Sequence, residues 1–466
     1  MISRRGVAAF LLMAGVVSYA VYDWRKKQDD ESRQAEEKKL FHVGEEEVRS
    51  LRLRREAGEI TLLKTPEGWS IQAPITAPAD DTAVEGLVSS LLRSTIEKRL
   101  GPVADLESYS LAPPEVEVEI SAGEGEGKSE ETVRIGEKHP FSGEYYGQIG
   151  AETDLLLLSS GVARAREVDL MALREKELIR LETWRVNQLE IQRKDATIRM
   201  IRKDGKWNLE SPVHTPAADG TVADLISHLG RLKAIRFPAE EPENLEIYGL
   251  DAPGIRVSIL QEDWREPRRI DFGAKNEAGN LFVRRWDRSA VMEVEESIWP
   301  KLNQSVDEFR KSELFLASRW NLAALDLSDA AGEVGLAKNE AGSWQWAGEN
   351  PASSPVRETV EELLDSLESL RAVAFIDGVE PDQTRFGLAE PRLRVAARTE
   401  EKPDSPFELL VGGPAGGERV YVKQGNWPTI YEVPEDQIRE VEERISALRA
   451  PTPEPSPEEE TPAGEE

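Results

Sequence analysis

The ten residues WNLESPVHTP, at positions 207–216, decide the fold, because their pattern occurs three times. A Trp is followed by Pro five and nine residues later at Trp69, at Trp207 and at Trp346. Two more strings recur in the same frame. In one, an aromatic residue is followed by any residue, then by Leu, and shortly afterwards by Pro. In the other, an apolar residue is followed by Gly, and an aromatic residue lies nine positions after that Gly. The period is 137 to 139 residues for all three strings. One module is therefore used three times.

The local pattern of each copy predicts a β-hairpin followed by a helix. Apolar and polar residues alternate before each Trp, and a Gly turn separates the two strands. After the second Pro, apolar residues recur at three- and four-residue spacing, which predicts an amphipathic helix. These residues are Val84, Leu87, Val88 and Leu91, then Val222, Leu225, Ile226 and Leu229, then Val360, Leu363, Leu364 and Leu367.

The second half of each copy predicts more strands and a short closing helix. The run EVEVEI at 115–120 alternates strictly, as in an antiparallel sheet with one wet and one buried face. Closing helices are predicted at 155–173, 293–309 and 436–448. The predicted fold class is α+β, with three tandem copies of an antiparallel-sheet-plus-helix module after one N-terminal transmembrane helix.

The predicted organisation has seven segments. They are a cytoplasmic stub at 1–5, a transmembrane anchor or signal peptide at 6–24, a charged spacer at 25–40, repeat modules at 41–180, 181–317 and 318–450, and a disordered acidic Pro/Glu tail at 451–466. The joints repeat too, since Arg174 and Arg310 precede Trp184 and Trp320 at one common offset. This predicts that β-segments join the modules instead of flexible linkers.

The N-terminal segment predicts attachment to a membrane. Residues 6–22 are uncharged and mostly apolar, and basic residues flank them on both sides. At about 1.5 Å per residue, this run is near the short limit for a ~30 Å hydrocarbon core. A retained anchor and a cleaved signal peptide, cut after Ser18-Tyr19-Ala20, both fit the pattern. The basic residues that follow favour retention, with the C-terminal bulk exported.

Composition excludes several classes of function. The formal net charge of −29 repels phosphate backbones, so nucleic acid is not an expected partner. The chain has no Cys, and its four His do not pair at a metal-binding spacing. Nucleophile-elbow, phosphate-loop and zinc-protease motifs are missing from the sequence. We therefore predict no catalytic residue, no cofactor and no metal site.

The recurring strings resemble a family of uncharacterised bacterial envelope proteins that carry a repeated domain of unknown function. The resemblance covers about residues 40–450, and the joint Leu173-Arg174-Glu175-Lys176 is similar to the family's L-R-x-K pattern. Residues 309–312 depart from that pattern at the first and last positions. The resemblance implies a single-pass protein encoded beside an ABC-2 type transporter and a gliding-motility-like auxiliary component. It carries over no catalytic residue.

Two functions remain open at this point. The first is a non-enzymatic, membrane-anchored accessory or scaffold protein of an ABC-2 type envelope transport system. It would lie in the bacterial inner membrane with its bulk in the periplasm, and contact an ABC-type permease or auxiliary subunit. The alternative is a periplasmic glycan- or peptide-binding protein that uses aromatic grooves. The candidate groove or partner residues are Trp69, Trp207, Trp346, Tyr145, Phe282 and Tyr421. Since each recurs in every module, a packing role is the competing interpretation.

Overall fold

The computed structural model describes residues 24–26, 36–123, 127–347, 355, 357–378, 384–401, 403–425 and 427–449. Most of the predicted anchor and spacer, and the whole predicted tail, lie outside these residues. In the part that is described, no helix is long and apolar enough to cross a membrane.

The first module is one antiparallel sheet crossed by a helix. Its strands are β1 (Val48–Arg55), β2 (Gly58–Thr65), β3 (Gly68–Ala73), β4 (Ala77–Pro78), β5 (Ile96–Pro102), β6 (Val116–Ala122), β7 (Ser129–Lys138), β8 (Tyr145–Ile149) and β9 (Asp154–Leu158). Its α-helices are α1 (Asp81–Leu92), α2 (Ala163–Glu167) and α3 (Leu170–Leu173). Among the described strands the spatial order is β4-β3-β2-β1-β6-β7-β8-β9-β5.

The second module repeats this topology. Its strands are β10 (Val186–Arg193), β11 (Thr197–Lys203), β12 (Lys206–Ser211), β13 (Thr215–Pro216), β14 (Ala234–Ala239), β15 (Ile255–Gln261), β16 (Arg268–Lys275), β17 (Leu281–Arg285) and β18 (Val291–Val294). Its α-helices are α4 (Asp219–Arg231) and α5 (Trp299–Leu302). The order β13-β12-β11-β10-β15-β16-β17-β18-β14 matches the first sheet strand for strand.

The third module keeps the same arrangement within the residues described. Its strands are β19 (Leu322–Asp329), β20 (Gly332–Lys338), β21 (Trp344–Trp346), β22 (Ala374–Ile376), β23 (Leu393–Thr399), β24 (Phe407–Pro414), β25 (Arg419–Gln424) and β26 (Ile430–Pro434). Its α-helices are α6 (Arg357–Ser369) and α7 (Glu435–Arg449). The prediction of three antiparallel sheet-plus-helix modules is confirmed.

The helix of each module crosses the sheet because it connects opposite edges. In the first module α1 leaves β4 at one edge and leads to β5 at the other. All twelve apolar helix positions predicted from the spacing are buried against their sheets. Asp80 caps α1 by accepting a hydrogen bond from the Ala83 N–H at 3.0 Å. The alternation along β6 also holds, since Val116, Val118 and Ile120 are fully buried.

The predicted closing helices are partly wrong. Asp154–Leu158 and Val291–Val294 are strands, and short helical turns follow them. The run of four Leu at 155–158 is buried throughout, and its main chain pairs with β8 on one side and with β5 on the other. In the third module, α7 follows the prediction closely.

The aromatic-x-Leu string and the apolar-Gly string keep the same separation in all three modules for one steric reason. A Cβ added to Gly136, Gly273 or Gly412 would lie 2.0, 2.2 or 2.2 Å from the carbonyl oxygen of Tyr109, Tyr248 or Phe386, respectively. The aromatic residue then places its ring edge-on to a second ring, with centroids 4.8 to 5.0 Å apart. The Gly therefore allows a short helical turn to pack directly on the sheet.

We expect Gly273→Ala to lower the stability of the second module, because its Cβ would overlap the Tyr248 carbonyl oxygen. Overpacking of this kind costs about 1 to 3 kcal/mol. Hydrogen exchange of the amides in β16 and β17, read by mass spectrometry, measures the effect. The matched control is Gly220→Ala in α4, where a Cβ would meet no atom within 4 Å and should stabilise the helix slightly. Equal exchange in the two variants would contradict the steric explanation.

Candidate functional site

The structure places the predicted aromatic residues mostly in packing positions. Trp69 is 4% exposed and Trp207 is 5% exposed, and each belongs to the core of its module. Trp346 is half-buried and packs against the core of the third module. The backbone N–H groups of Trp69 and Trp207 donate to Asp81 and Asp219 in the first turn of the following helix. Each Trp thus ties its hairpin to its helix.

The other three predicted residues divide into two groups. Phe282 and Tyr421 are half-buried and pair edge-on with Tyr248 and Phe386. In the first module, however, the ring in that position is Tyr146, while Tyr145 is buried in the core. A one-residue difference in the turn before β8 shifts the frame, and successive strand residues face opposite sides.

The predicted residues do not converge on one groove. In the third module Tyr421 packs against a small cluster around Phe386, whereas Trp346 packs against the main core. The described residues also contain no group of three or more His, Asp or Glu placed to hold a metal ion. A buried group of polar contacts lies at the joint between the second and third modules.

This joint is a continuous run of main-chain hydrogen bonds. On one side, Lys311 N–H donates to the Pro216 carbonyl at 3.0 Å, and Ala218 N–H donates to the Phe309 carbonyl at 2.8 Å. On the other side, Ala372 N–H donates to the Ser312 carbonyl at 2.8 Å. The chain from 309 to 314 is therefore hydrogen-bonded to both modules and leaves no flexible linker between them.

Arg310 is the buried centre of the joint. Its side chain is 3% exposed, and its guanidinium binds both carboxylate oxygens of Asp377, with Nη1 3.2 Å from Oδ1. Its Nε lies 3.1 Å from a carboxylate oxygen of Asp307, and its charge stacks on the ring of Phe375 at 4.7 Å. Thr429 donates to Asp377 at 2.9 Å. A charge removed from water is thus paired from several directions, as burial requires.

A second buried polar group lies beside this pair. The Tyr431 hydroxyl donates to Gln424 Oε1 at 3.3 Å and lies 3.4 Å from the Thr215 hydroxyl of the second module. Gln424 in turn donates to the Leu314 carbonyl at 2.6 Å. Burial raises the pKa of Tyr431, because the tyrosinate would lose its hydration. These contacts link side chains of both modules to the backbone of the joint.

A surface cleft of about 590 Å³ lies beside Arg310. Several of its charged side chains have partners, either across the cleft or just outside it. Lys311 Nζ is 3.7 Å from Asp219, Glu308 accepts from Ser305, and Glu313 lies 3.9 Å from Arg371. The arrangement is suited to holding two modules together.

The same kind of main-chain pairing occurs at the end of the first module and at the start of the second, each within its own compact unit. In the unit of residues 1–176, Glu175 N–H donates to the Pro78 carbonyl at 3.1 Å. In the unit of residues 177–466, Leu178 N–H donates to the Leu232 carbonyl at 3.3 Å, as Leu314 does to Leu370. Arg285 donates to the Glu177 carbonyl at 2.8 Å, the counterpart of the contact from Gln424. The repeat therefore includes its joints.

Comparison with known proteins identifies the repeated module. A family model described as Domain of unknown function (DUF4340) matches residues 69–211, 207–384 and 357–460. The first two matches begin at Trp69 and Trp207. In the first and second modules the matched region therefore starts within the sheet, at its third strand. No curated protein matches the chain.

We expect Asp377→Ala to open the joint, because the buried guanidinium of Arg310 would lose its bidentate partner. The loss should be about 2 to 3 kcal/mol in local stability. Hydrogen exchange of peptides covering 309–315 and 370–377 in the full chain measures this change. Asp307→Ala is the matched control, because Asp307 is itself exposed and the Arg310 Nε that faces it forms no hydrogen bond with a described residue, so its removal should cost only about 0 to 1 kcal/mol. Equal effects of the two variants would contradict the assigned role of Asp377.

We expect alkaline pH to weaken the joint through Tyr431. Its pKa is raised in the folded state, so its stabilising effect is complete below the ordinary Tyr pKa of about 10 and disappears as pH rises through the raised value. Tyr431→Phe should cost about 1 kcal/mol near neutral pH, since Gln424 loses a donor. Unlike the parent, this variant should lose little further local stability above about pH 10. Hydrogen exchange corrected for its intrinsic pH dependence compares the two, and parallel profiles would contradict the prediction.

Proposed function

We propose that this chain, which belongs to the family of the domain of unknown function DUF4340, is a membrane-anchored accessory or scaffold protein of an ABC-2 type envelope transport system. It acts through protein–protein contacts and not by catalysis. Residues 6–24 anchor it in the bacterial inner membrane, and its C-terminal bulk lies in the periplasm.

The observation that carries the proposal is the joint centred on Arg310. Residues 309–314 are hydrogen-bonded to the second module on one side and to the third on the other. Both modules consequently belong to one compact unit. A scaffold needs such a connection, because fixed modules hold their binding surfaces at a constant separation and lose little conformational entropy when a partner binds.

A pair of exposed Trp supports the proposal. Trp184 is 63% exposed and Trp320 is 83% exposed, at equivalent positions just before the first strands of the second and third modules. Both rings are mostly exposed, and neither belongs to the core of its module. Trp is strongly enriched among the residues that dominate protein–protein binding energy, so these two rings are suited to contacting a partner.

The N-terminal segment and the family resemblance supply the location. Residues 6–22 are uncharged and nearly long enough for a membrane span, with basic residues on both flanks. The resemblance to envelope proteins encoded beside ABC-2 type transporters supplies the class of partner, an ABC-type permease or its auxiliary subunit.

The glycan-binding alternative has less support. It depends on Trp ring faces that are open to solvent, and Trp69 and Trp207 are buried in their cores. The rings of Phe282 and Tyr421 are in contact with other rings of their own modules. The scaffold function is therefore the better supported of the two.

The test is crosslinking mass spectrometry on the tagged full-length protein in native membranes, with gentle-detergent co-purification. We expect an ABC-type permease or auxiliary subunit among the enriched proteins. Trp184→Ser with Trp320→Ser should lower its recovery about tenfold or more, since loss of a central Trp typically exceeds 2 kcal/mol. Ile247→Ser, which removes another exposed apolar side chain, is the control. Recovery of the protein alone or with cell-wall material, or turnover in a broad substrate screen, would contradict the proposal.

A further inference from the structure

One end of the second sheet carries three Trp side chains. Trp184 precedes β10, Trp264 lies between β15 and β16, and Trp286 follows β17. These loops are neighbours, because Val186 pairs with Gln261 and Ile270 pairs with Arg285 in the strand register. We call residues 184–185, 262–268 and 284–289 the tryptophan end.

An Arg guanidinium is stacked on each of these rings. Arg185 lies 4.6 Å from the ring centre of Trp184, and Arg285 lies 4.9 Å from that of Trp286. Arg268 lies 3.7 Å from the ring centre of Trp264 and 5.1 Å from that of Trp286. Arg268 is therefore held by two indoles, which fix the direction of its N–H groups.

The three guanidiniums differ in what else they bind. Arg285 donates to both carboxylate oxygens of Asp287 at 2.9 and 3.0 Å, and Arg185 lies 3.4 Å from Glu182. Arg268, in contrast, neither donates a hydrogen bond to another described residue nor forms an ion pair with one. Burial against the rings lowers its pKa, which indicates partial loss of hydration. A partly desolvated, oriented guanidinium is a strong partner for a carboxylate.

The fold does not require this cluster, because the other modules lack it. By strand register, the position of Arg268 is occupied by Glu131 in the first module and by Phe407 in the third. Trp286 corresponds to Gly150 and Gly425. The three sheets share one topology with different residues here. Trp264 and Trp286 also pack partly against the core of the second module, but the cluster as a whole is specific to that module.

The surrounding charges decide what kind of partner fits. Glu262, Asp263, Glu266 and Asp287 are interspersed with the Arg residues. A uniformly anionic surface, such as a phospholipid layer, would be repelled by these carboxylates in a chain of net charge −29. A protein surface can place single carboxylates opposite Arg268 and avoid the acids. A cleft of about 710 Å³ opens beside Trp286, and charged side chains such as Arg269, Arg284 and Arg288 form most of its lining.

We propose that the tryptophan end is the docking surface for a protein partner that places an Asp or Glu carboxylate on Arg268 and apolar side chains against Trp264 and Trp286. This proposal rests on the proposed function in that it identifies where the partner binds. It assigns recognition to the second module, which the threefold repeat alone does not distinguish from the others.

The test uses a photo-crosslinking amino acid, benzoyl-phenylalanine, at the exposed position Ser289 of the full-length protein in native membranes. We expect one protein adduct, mapped to a peptide of the partner by mass spectrometry. Arg268→Ala should lower its yield about tenfold or more, and Arg268→Lys should give only partial recovery, because Lys lacks the planar fork. Arg265→Ala is the matched control, since it removes an exposed Arg of the same loop and should leave the yield unchanged.

The decisive experiment is a charge swap. Arg268→Glu should abolish the adduct, and an Asp or Glu→Arg change in the mapped partner peptide should restore it. All variants are first compared by thermal unfolding, so that a folding defect is recognised. An adduct with lipid, an adduct that Arg268→Ala does not change, or failure of every partner charge swap would overturn the proposal.

The outcomes separate this proposal from the proposed function. If the mapped protein is unrelated to ABC-2 type transport, the docking surface stands and the proposed function fails. If the permease is recovered undiminished with Arg268→Ala, the function stands and the docking surface is overturned.

Discussion

The apolar stripe of one helix is the constraint on which each module depends. An antiparallel sheet with alternating residues must cover one face, and α1, α4 and α6 each supply four aligned apolar side chains for that purpose. Each such side chain contributes about 1.5 to 3 kcal/mol when fully buried. Because the helix connects opposite edges of the sheet, it also determines which strands end up at the edges. The joint then forms beside one of these edges.

The repeat made much of this fold predictable from sequence. Helix positions such as Leu87, Leu225 and Leu363 were correct because a single period of 3.6 explains them. The strand β5 was missed, since IEKRLGP is an edge strand with no alternation of apolar residues. Residues 155–158 were assigned to a helix because a continuous apolar run fits both a buried helix and a buried strand. Only the pairing with two neighbouring strands distinguishes them.

The two polar sites show where reasoning from sequence ends. The common offset of Arg174 and Arg310 marked both as joint residues, but Asp377 lies 67 positions from Arg310 and no local pattern connects them. Similarly, only strand register brings Trp184, Trp264 and Trp286 to one end of the sheet and places Arg268 against Trp286. A high density of Trp and Arg at 264–288 is the sequence signal that could have indicated the second site, and it matches no known catalytic motif.

The edge strands β4 and β13 bear on a risk of folding in a chain with three similar modules, namely that a strand of one module pairs with the sheet of another. Tethered copies are present at high effective concentration, so exchange of strands between them is a constant hazard. Each of these edge strands is only two residues long and ends in Pro78 or Pro216, which lacks an N–H donor. The carbonyl oxygen of this Pro already accepts a hydrogen bond from the N–H of Glu175 or Lys311 in the joint of the same module. These two edges are therefore closed to a foreign strand by the chain that leaves the module.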